Sequence, residues 1–185
     1  MHESRREKSE LEQQNKLASF EATVLPHLDA AYNLARWLLH NKADAEDVAQ
    51  EAVLRAFRFF GSFRGGDGRP WLLTIVRNTC YSYLQKNRSH ELSLPIEDEL
   101  FDVQSQDPSP EARLIQIDSS EILMKALEQL PVETREIIVL RELEEMSYKE
   151  IAEIAGVPIG TVMSRLARGR KRLQELLNRT MRAEV

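Results

Sequence analysis

The sequence predicts an all-α protein made of two small helical domains, the second of which is a helix-turn-helix. Apolar residues recur at helical spacing along most of the chain, and no stretch alternates apolar and polar residues for long enough to be a convincing strand. Residues 89–112 are acidic, contain three prolines and lose this periodicity, which indicates a linker between domains. Residues 147–172 combine a capping motif, a glycine turn and a basic helix, which is typical of a helix-turn-helix.

The first domain is predicted over residues 20–88. Residues 1–19 precede it as a polar arm with balanced charges, either a frayed helix or disordered. Pro26 lies inside the first amphipathic pattern, so the first helix either starts near this proline or is interrupted by it. Asp44 is a suitable N-cap for the second helix. The predicted helices cover about residues 20–40, 44–60 and 71–85, with a glycine-rich loop at 61–70 before the third.

The second domain is predicted over residues 113–178 and is followed by a tail, residues 179–185. One helix covers residues 113–130, and Pro131 is expected in the first turn of the next, where proline is tolerated. The residues expected on the inner side of that next helix are Ile137, Ile138, Leu140 and Leu143.

The helix-turn-helix motif begins with Ser147 and Glu150, a capping box, and turns at Gly156. Its second helix has an apolar side and an opposite side of small and cationic residues. Small residues permit close approach, and cations suit phosphates or guanine edges in a DNA groove. The alternative is a solvated basic helix whose cations favour the helix dipole. The apolar side comprises Val162, Leu166, Leu173, Leu176 and Leu177, and the outer side comprises Ser164, Ala167, Arg168 and Lys171, with Thr161 nearby and Arg165 on the flank.

Charge is unevenly distributed along the chain, whose net charge is −5. Residues 61–90 carry five Lys or Arg and one acid, and residues 158–185 carry seven and two. Residues 91–121, between these basic segments, carry nine acids and one Arg. Two basic patches separated by an acidic span indicate two contacts on one extended partner.

The glycine-rich loop and the helix after it form a second candidate for nucleic-acid binding. Phe63, Arg64 and Trp71 lie in or beside the loop, and the helix carries Arg77 and Asn78. Aromatic and basic residues together suit unstacked bases and a single-stranded backbone. From the residues alone it is equally open that Trp71 belongs to the core and that the glycines only turn the chain.

Catalytic and metal chemistry find no support in the sequence. The single cysteine, Cys80, lies among apolar neighbours and is expected in the core, and the four histidines are scattered. The acids between Asp44 and Glu51 have helical spacing, which favours capping and protein docking over a metal site. We predict a non-enzymatic protein without cofactor or metal. With no signal or membrane-spanning pattern, we expect it in the cytoplasm.

Together these stretches carry a resemblance to a known family. Residues 20–178 resemble the extracytoplasmic-function (ECF) sigma factors of the sigma-70 superfamily. The matching stretches, in order, are DAEDVAQEAVLRAF (44–57), SFRGGDGRPWLLTIVRN (62–78), LPVETREIIVLRELEEMSYKEIAEIAGVPIGTV (130–162) and the basic run that follows. The resemblance implies an alternative sigma factor that binds core RNA polymerase, recognises promoter −10 and −35 elements and promotes DNA melting. It also implies control by an anti-sigma factor.

The resemblance assigns roles to individual residues. Asp47, Gln50 and Glu51 match the motif that docks on the clamp helices of the polymerase β′ subunit. The residues implied at the −10 element are Phe63, Arg64, Gly65, Gly66, Trp71, Arg77 and Asn78. Those implied at the −35 element are Thr161, Met163, Ser164, Arg165, Ala167, Arg168 and Lys171. Met163 stands where relatives often have Arg or Lys, which removes one cation from this face.

Two alternative classes remain open from the sequence. One is an enzyme, although no catalytic set is recognisable, and the other is a transcription regulator. A helix-turn-helix transcription regulator would share the 147–172 motif and would use its N-terminal domain for sensing or dimerisation. In such a protein the motif at Asp47, Gln50 and Glu51 would have no role. Association with core polymerase therefore distinguishes a sigma factor from such a regulator.

Overall fold

The computed structural model describes residues 3–91 and 119–183, and the α-helices there confirm the predicted all-α class. Most of the predicted linker, from residue 92 onward, lies outside the described residues. The helices are α1 (Glu3–Val24), α2 (Leu28–Leu39), α3 (Lys42–Phe59), α4 (Gly68–Glu91), α5 (Ser119–Glu128), α6 (Val132–Ile138), α7 (Tyr148–Ala155) and α8 (Ile159–Ala183).

The first helical unit is built from α2, α3 and α4, which pack on one another, with α1 against α4. Its core is aliphatic because each helix buries one stripe of its surface. The side chains with almost no exposed surface include Leu34, Leu38, Ala52, Leu72, Val76 and Cys80. Burial raises the pKa of the Cys80 thiol to about 12, so this residue is the inert core cysteine that the sequence predicts.

The structure decides between the alternatives left open at the start of this unit, and it corrects one predicted cap. The polar arm is helical from Glu3, and α1 continues to Val24, where Leu25–His27 form a short 3₁₀ turn around Pro26. Proline therefore interrupts the first pattern because it lacks the donor that a continuous helix needs. The N-cap of α3 is Asn41 rather than Asp44: the Asn41 Oδ1 accepts from the backbone N–H groups of Ala43 (2.8 Å) and Asp44 (3.3 Å).

Gly68 allows α1 and α4 to approach each other closely. A Cβ at this position would lie 2.5 Å from both the carbonyl oxygen and the Cγ2 of Thr23. Because the backbone oxygen cannot rotate away, we expect Gly68→Ala to destabilise the protein by about 1–3 kcal/mol. Urea unfolding measures this, with Gly61→Ala as control, since a Cβ there meets no atom within 4 Å. Equal stability of the two variants would contradict the close approach.

The second helical unit packs α6 and α7 against the long α8. Gly169 of α8 lies against α6, where its Cβ would be 2.6 Å from the Ile138 Cδ1. After α6 the chain makes a π-helical turn, Val139–Leu143, closed by the N–H of Glu144 on the carbonyl of Val139 at 3.0 Å. This wider turn shifts the register, so Leu143, predicted on the inner side, is 42% exposed.

The helix-turn-helix forms as the sequence predicts. The side chain of Ser147 accepts from the N–H of Glu150, and the Glu150 carboxylate accepts from the N–H of Ser147 at 2.7 Å. Gly156 ends α7 with φ of 66°, a conformation that favours glycine. α8 then runs to Ala183, so the helix continues into the segment expected to be a tail.

The two helical units are in contact, which the sequence did not predict. α7 packs along α4, and α6 packs on α2. Arg135 of α6 is 5% exposed and lies at this junction. Its guanidinium donates to the carbonyls of Leu127 (2.9 Å) and Leu130 (2.9 Å) in its own unit and to that of Leu38 (3.3 Å) in the other. One side chain therefore binds the ends of helices from both units.

The protonation of His40 depends on its contacts at this junction. Its ring contacts the Arg135 guanidinium, and burial, with the positive charges of Arg135 and Arg36, lowers the His40 pKa from 6.5 to about 4. As the pH falls, His40 is protonated in the unfolded chain before it is protonated in the folded chain. The free energy of unfolding therefore decreases between about pH 6.5 and pH 4. We expect His40→Asn, which keeps an acceptor and tolerates the positive φ of 64° at this position, to flatten that loss. Urea unfolding at pH 7 and 5 measures it; parallel losses in both proteins would contradict the assignment.

Candidate polymerase and nucleic-acid interfaces

One surface of α3 combines acids with an apolar groove. Asp47 and Gln50 are exposed, and the half-buried Glu51 accepts from the Nε of Arg55 at 2.8 Å. The predicted triad thus lies on one side of α3 because its spacing matches a helical turn. The groove beside it, which the sequence analysis missed, lies between α2 and α3. It is lined by Leu28, Ala31, Tyr32, Glu46, Ala49, Gln50, Val53 and Leu54.

Leu54 is 54% exposed, although it belongs to a helix whose other side is core. An exposed apolar strip with an acidic edge is typical of a protein-docking surface. The sequence signal was available, since Val53 and Leu54 adjoin the buried positions Ala52 and Ala56 without belonging to their stripe.

The loop before α4 presents glycines and a partly covered aromatic cluster. Gly65 and Gly66 have φ of 84° and 91°, so this backbone path requires glycine. Phe63 is half-buried, with its ring centroid 5.7 Å from that of Phe60 and 5.1 Å from that of Trp71. Trp71 is therefore part of a packed cluster and also keeps exposed surface. Its role at the −10 element stays a prediction. Arg64 is exposed beside it.

Arg77 and Asn78 lie on α4, beyond the loop, but they differ in availability. Asn78 is exposed, whereas Arg77 donates from Nε to the Glu136 Oε2 at 2.9 Å and from Nη2 to the Oε1 at 3.3 Å. The guanidinium also lies 4.4 Å from the ring centroid of Tyr81. The structure therefore brings the predicted −10 residues to one side of the first unit, with Arg77 engaged by a carboxylate of the second.

The outer side of α8 is largely free of protein contacts. Most of the residues predicted for the −35 element are exposed there, and Met163 has 53% of its surface accessible. The fully exposed members are Met163, Ser164, Ala167, Arg168 and Lys171. Thr161 and Arg165 are half-buried. Arg165 lies on the side of Glu136, where its charge acts on that carboxylate, so it is set apart from the exposed group.

Glu136 and Glu144 are the functional candidates that sequence reasoning missed. Their side chains are 0% and 5% exposed, and both face arginines of the first unit. Burial raises the pKa of the Glu136 carboxyl, while hydrogen bonding and charge from Arg77 oppose the rise. The one available signal was an ionisable residue directly before the buried run Ile137–Leu140.

Comparisons with known proteins agree with this arrangement. The family model for sigma-70 region 2 matches residues 23–90, and that for sigma-70 region 4 matches residues 120–173. The RNA polymerase sigma-H factor of Pseudomonas aeruginosa is 32% identical over 171 residues, which cover 89% of each chain. The chain belongs to the sigma-70 family of sigma factors, in its ECF group.

Further likenesses support this ECF sigma factor assignment. The ECF RNA polymerase sigma factor SigE of Mycolicibacterium smegmatis is 35% identical over 87% of the chain, which spans 62% of that relative's length. The sigma factor RpoE of Bartonella quintana, solved in complex with the anti-sigma factor NepR, superposes with a TM-score of 0.70. It is 34% identical, and the match covers 86% of this chain and 97% of that one.

Over residues 3–91 and 119–183, no helix of this sigma factor is both long and apolar enough to cross a bilayer.

Proposed function

We propose that this ECF sigma factor directs core RNA polymerase to promoters by holding DNA at two places. The first unit binds polymerase and the −10 element, and the second binds the −35 element. The observation that carries this proposal is the pairing of region 2 and region 4 matches, in this order, with an exposed cationic face on α8. Residues 20–88 and 113–178 are the proposed functional domains.

The α3 surface is the proposed polymerase contact. Asp47, Gln50 and Glu51 lie beside an exposed apolar groove, so a helical partner with basic residues would find both apolar burial and charge complementarity. The β′ clamp helices of polymerase are the partner that the family resemblance implies.

The glycine loop and α4 are the proposed −10 contact. Phe63 and Trp71 offer aromatic faces on which an unstacked base can pack, and the exposed Arg64 offers a cation for the backbone. Gly65 and Gly66 allow a strand to approach the main chain closely. Melting then draws on the binding of unstacked bases and not on nucleotide hydrolysis, so the sigma factor acts as a non-enzymatic, cytoplasmic initiation factor.

The exposed face of α8 is the proposed −35 contact. We expect Arg168→Ala to lower transcription from a −35-dependent promoter about 10-fold, because one direct contact to a phosphate or base is worth roughly 1–3 kcal/mol. Multi-round transcription with saturating core enzyme measures this. Lys125→Ala is the control, because it removes one exposed cation of the same unit from α5. Equal activity of both variants would exclude Arg168 from the interface.

An anti-sigma factor is the proposed regulatory partner. Two structurally similar proteins, RpoE and CnrH, were solved with the anti-sigma factor NepR and with the cytosolic domain of CnrY, respectively. We infer that such a partner covers the groove at Leu54 and competes there with core polymerase. Leu54→Asp should weaken binding of both partners, and unchanged binding of either would place that partner elsewhere.

The experiment that tests the function as a whole is transcription in vitro with core enzyme on a promoter library. We expect transcripts only when the sigma factor is added, from templates that share two conserved elements. Enrichment of a single element, or none, would contradict the two-place grip.

A further inference from the structure

The second unit binds two arginines of α4 with buried carboxylates. Arg77 binds Glu136, and the Arg69 Nη2 lies 2.5 Å from the Glu144 Oε2. Both arginines belong to the segment proposed to contact −10 DNA. Glu136 lies in α6, and Glu144 follows the π-helical turn before the helix-turn-helix. Each carboxylate therefore occupies the place that a DNA phosphate would take on its arginine.

This arrangement excludes DNA in two ways. Two donors of the Arg77 guanidinium are already engaged by the oxygens of Glu136, and that carboxylate offsets its charge, so Arg77 attracts a phosphate less strongly. The carboxylates also place negative charge beside the path that a nucleic-acid backbone would follow, and like charges at an interface are unfavourable.

A separate contact holds the same arrangement from the other end of the interface. Arg135 donates to the carbonyls of Trp37 and Leu38 at the end of α2, at 3.3 Å each, while it also donates to carbonyls at the end of α5. Three contacts between the two units thus agree on one relative position of the units.

We propose that the described structure is an autoinhibited form of the free sigma factor, in which Glu136 and Glu144 keep Arg77 and Arg69 from −10 DNA until the two units separate. This inference rests on the proposed −10 role of the loop and α4. Separation of the units exposes the α4 arginines. The outer face of α8 is accessible in both states and binds the −35 element.

The sensitivity of the two ion pairs to charge reversal makes the closed state testable. A buried ion pair adds little net stability. Two like charges at the same buried place are strongly unfavourable. Glu144→Lys places a cation against Arg69, and Glu136→Lys places one against Arg77 and Arg165. Glu142→Lys is the matched control: it adds the same charge to the same unit, but its pair, with Arg170 at 2.6 Å, lies within that unit.

Two readouts on the full-length chain test the proposal. Small-angle X-ray scattering measures the radius of gyration, and fluorescence anisotropy measures binding of the free chain to a labelled single-stranded oligonucleotide that carries the −10 sequence enriched from the promoter library. We expect Glu144→Lys to increase the radius and to tighten binding at least 10-fold beyond Glu142→Lys. Adding Arg69→Glu to Glu144→Lys should restore the smaller radius.

Several results would overturn the proposal. An unchanged radius in both reversal variants would show that the ion pairs do not hold the units together. A larger radius without tighter binding than the control would show that closure is not inhibitory. If Glu136→Lys fails to fold, as far-ultraviolet circular dichroism would show, Glu144→Lys decides alone. These results are distinct from failure of the proposed function, in which the wild-type chain with core enzyme would give no transcription.

Discussion

Replacing Asp47 and Glu51 by alanine is expected to lower the affinity of the sigma factor for core RNA polymerase about 10- to 100-fold. Both side chains lie on the docking side of α3, next to an apolar groove that would be buried in the complex. Charges at the edge of a buried apolar contact gain strength as water is excluded, and losing such a contact typically costs about 1–3 kcal/mol. Glu51 is also held in place by Arg55, so little ordering is required on binding.

Titration of labelled sigma factor with core enzyme measures this effect. Glu21→Ala with Glu153→Ala is the matched control, because it removes two exposed acids that do not line the groove. Thermal unfolding should be nearly unchanged in both double variants, since the substituted side chains are outside the core. Equal affinity of the two double variants would show that polymerase docks on another surface.

Arg135→Ala is expected to destabilise the protein by about 3 kcal/mol or more. The guanidinium is almost fully buried and donates to carbonyls at the ends of α5 and α2. Among these acceptors, the Leu127 carbonyl also accepts from the N–H of Leu130 at 3.0 Å. Removing it leaves several buried acceptors without donors, and each costs roughly 1–3 kcal/mol unless water enters. Burial lowers the pKa of the guanidinium, yet at neutral pH the group remains charged.

Urea unfolding measures this loss, with Arg172→Ala as the control. Arg172 is exposed on α8 with a single ion pair to Glu175 at 3.5 Å, so its removal should cost less than about 0.5 kcal/mol. Arg135→Met separates the two contributions, because it keeps the aliphatic stem and loses the donors. Full stability of Arg135→Met would assign the effect to packing and would contradict the hydrogen-bonding explanation.

Features set by neighbouring residues were predictable from the sequence. The capping box at Ser147 and Glu150 and the turn at Gly156 form as expected because each depends on side chains within one helical turn. The inner side of α8 was predictable for the same reason, since Val162 and Leu166 repeat at helical spacing and are buried. The N-cap of α3 was not predictable in this way, because asparagine and aspartate both cap helices well. The path of the chain after His40 determines that Asn41, and not Asp44, is the cap.

Features set by distant residues were missed. Glu136 and Arg77 are 59 positions apart, and no periodicity links them. The π-helical turn that exposes Leu143 changes the helical register over a few residues, which a fixed period of 3.6 cannot represent. The sequence left the N-terminal arm open between a frayed helix and disorder because its residues are polar on nearly all sides, so they show no apolar stripe.

The most direct test of the central claim is permanganate footprinting of a promoter selected from the library. Permanganate oxidises unstacked thymines, so it detects melted −10 DNA. We expect reactive thymines at the −10 element when the sigma factor and core enzyme are both present, without nucleotides, and none with either component alone. Absence of reactivity with both components, or a requirement for nucleotide hydrolysis, would contradict it.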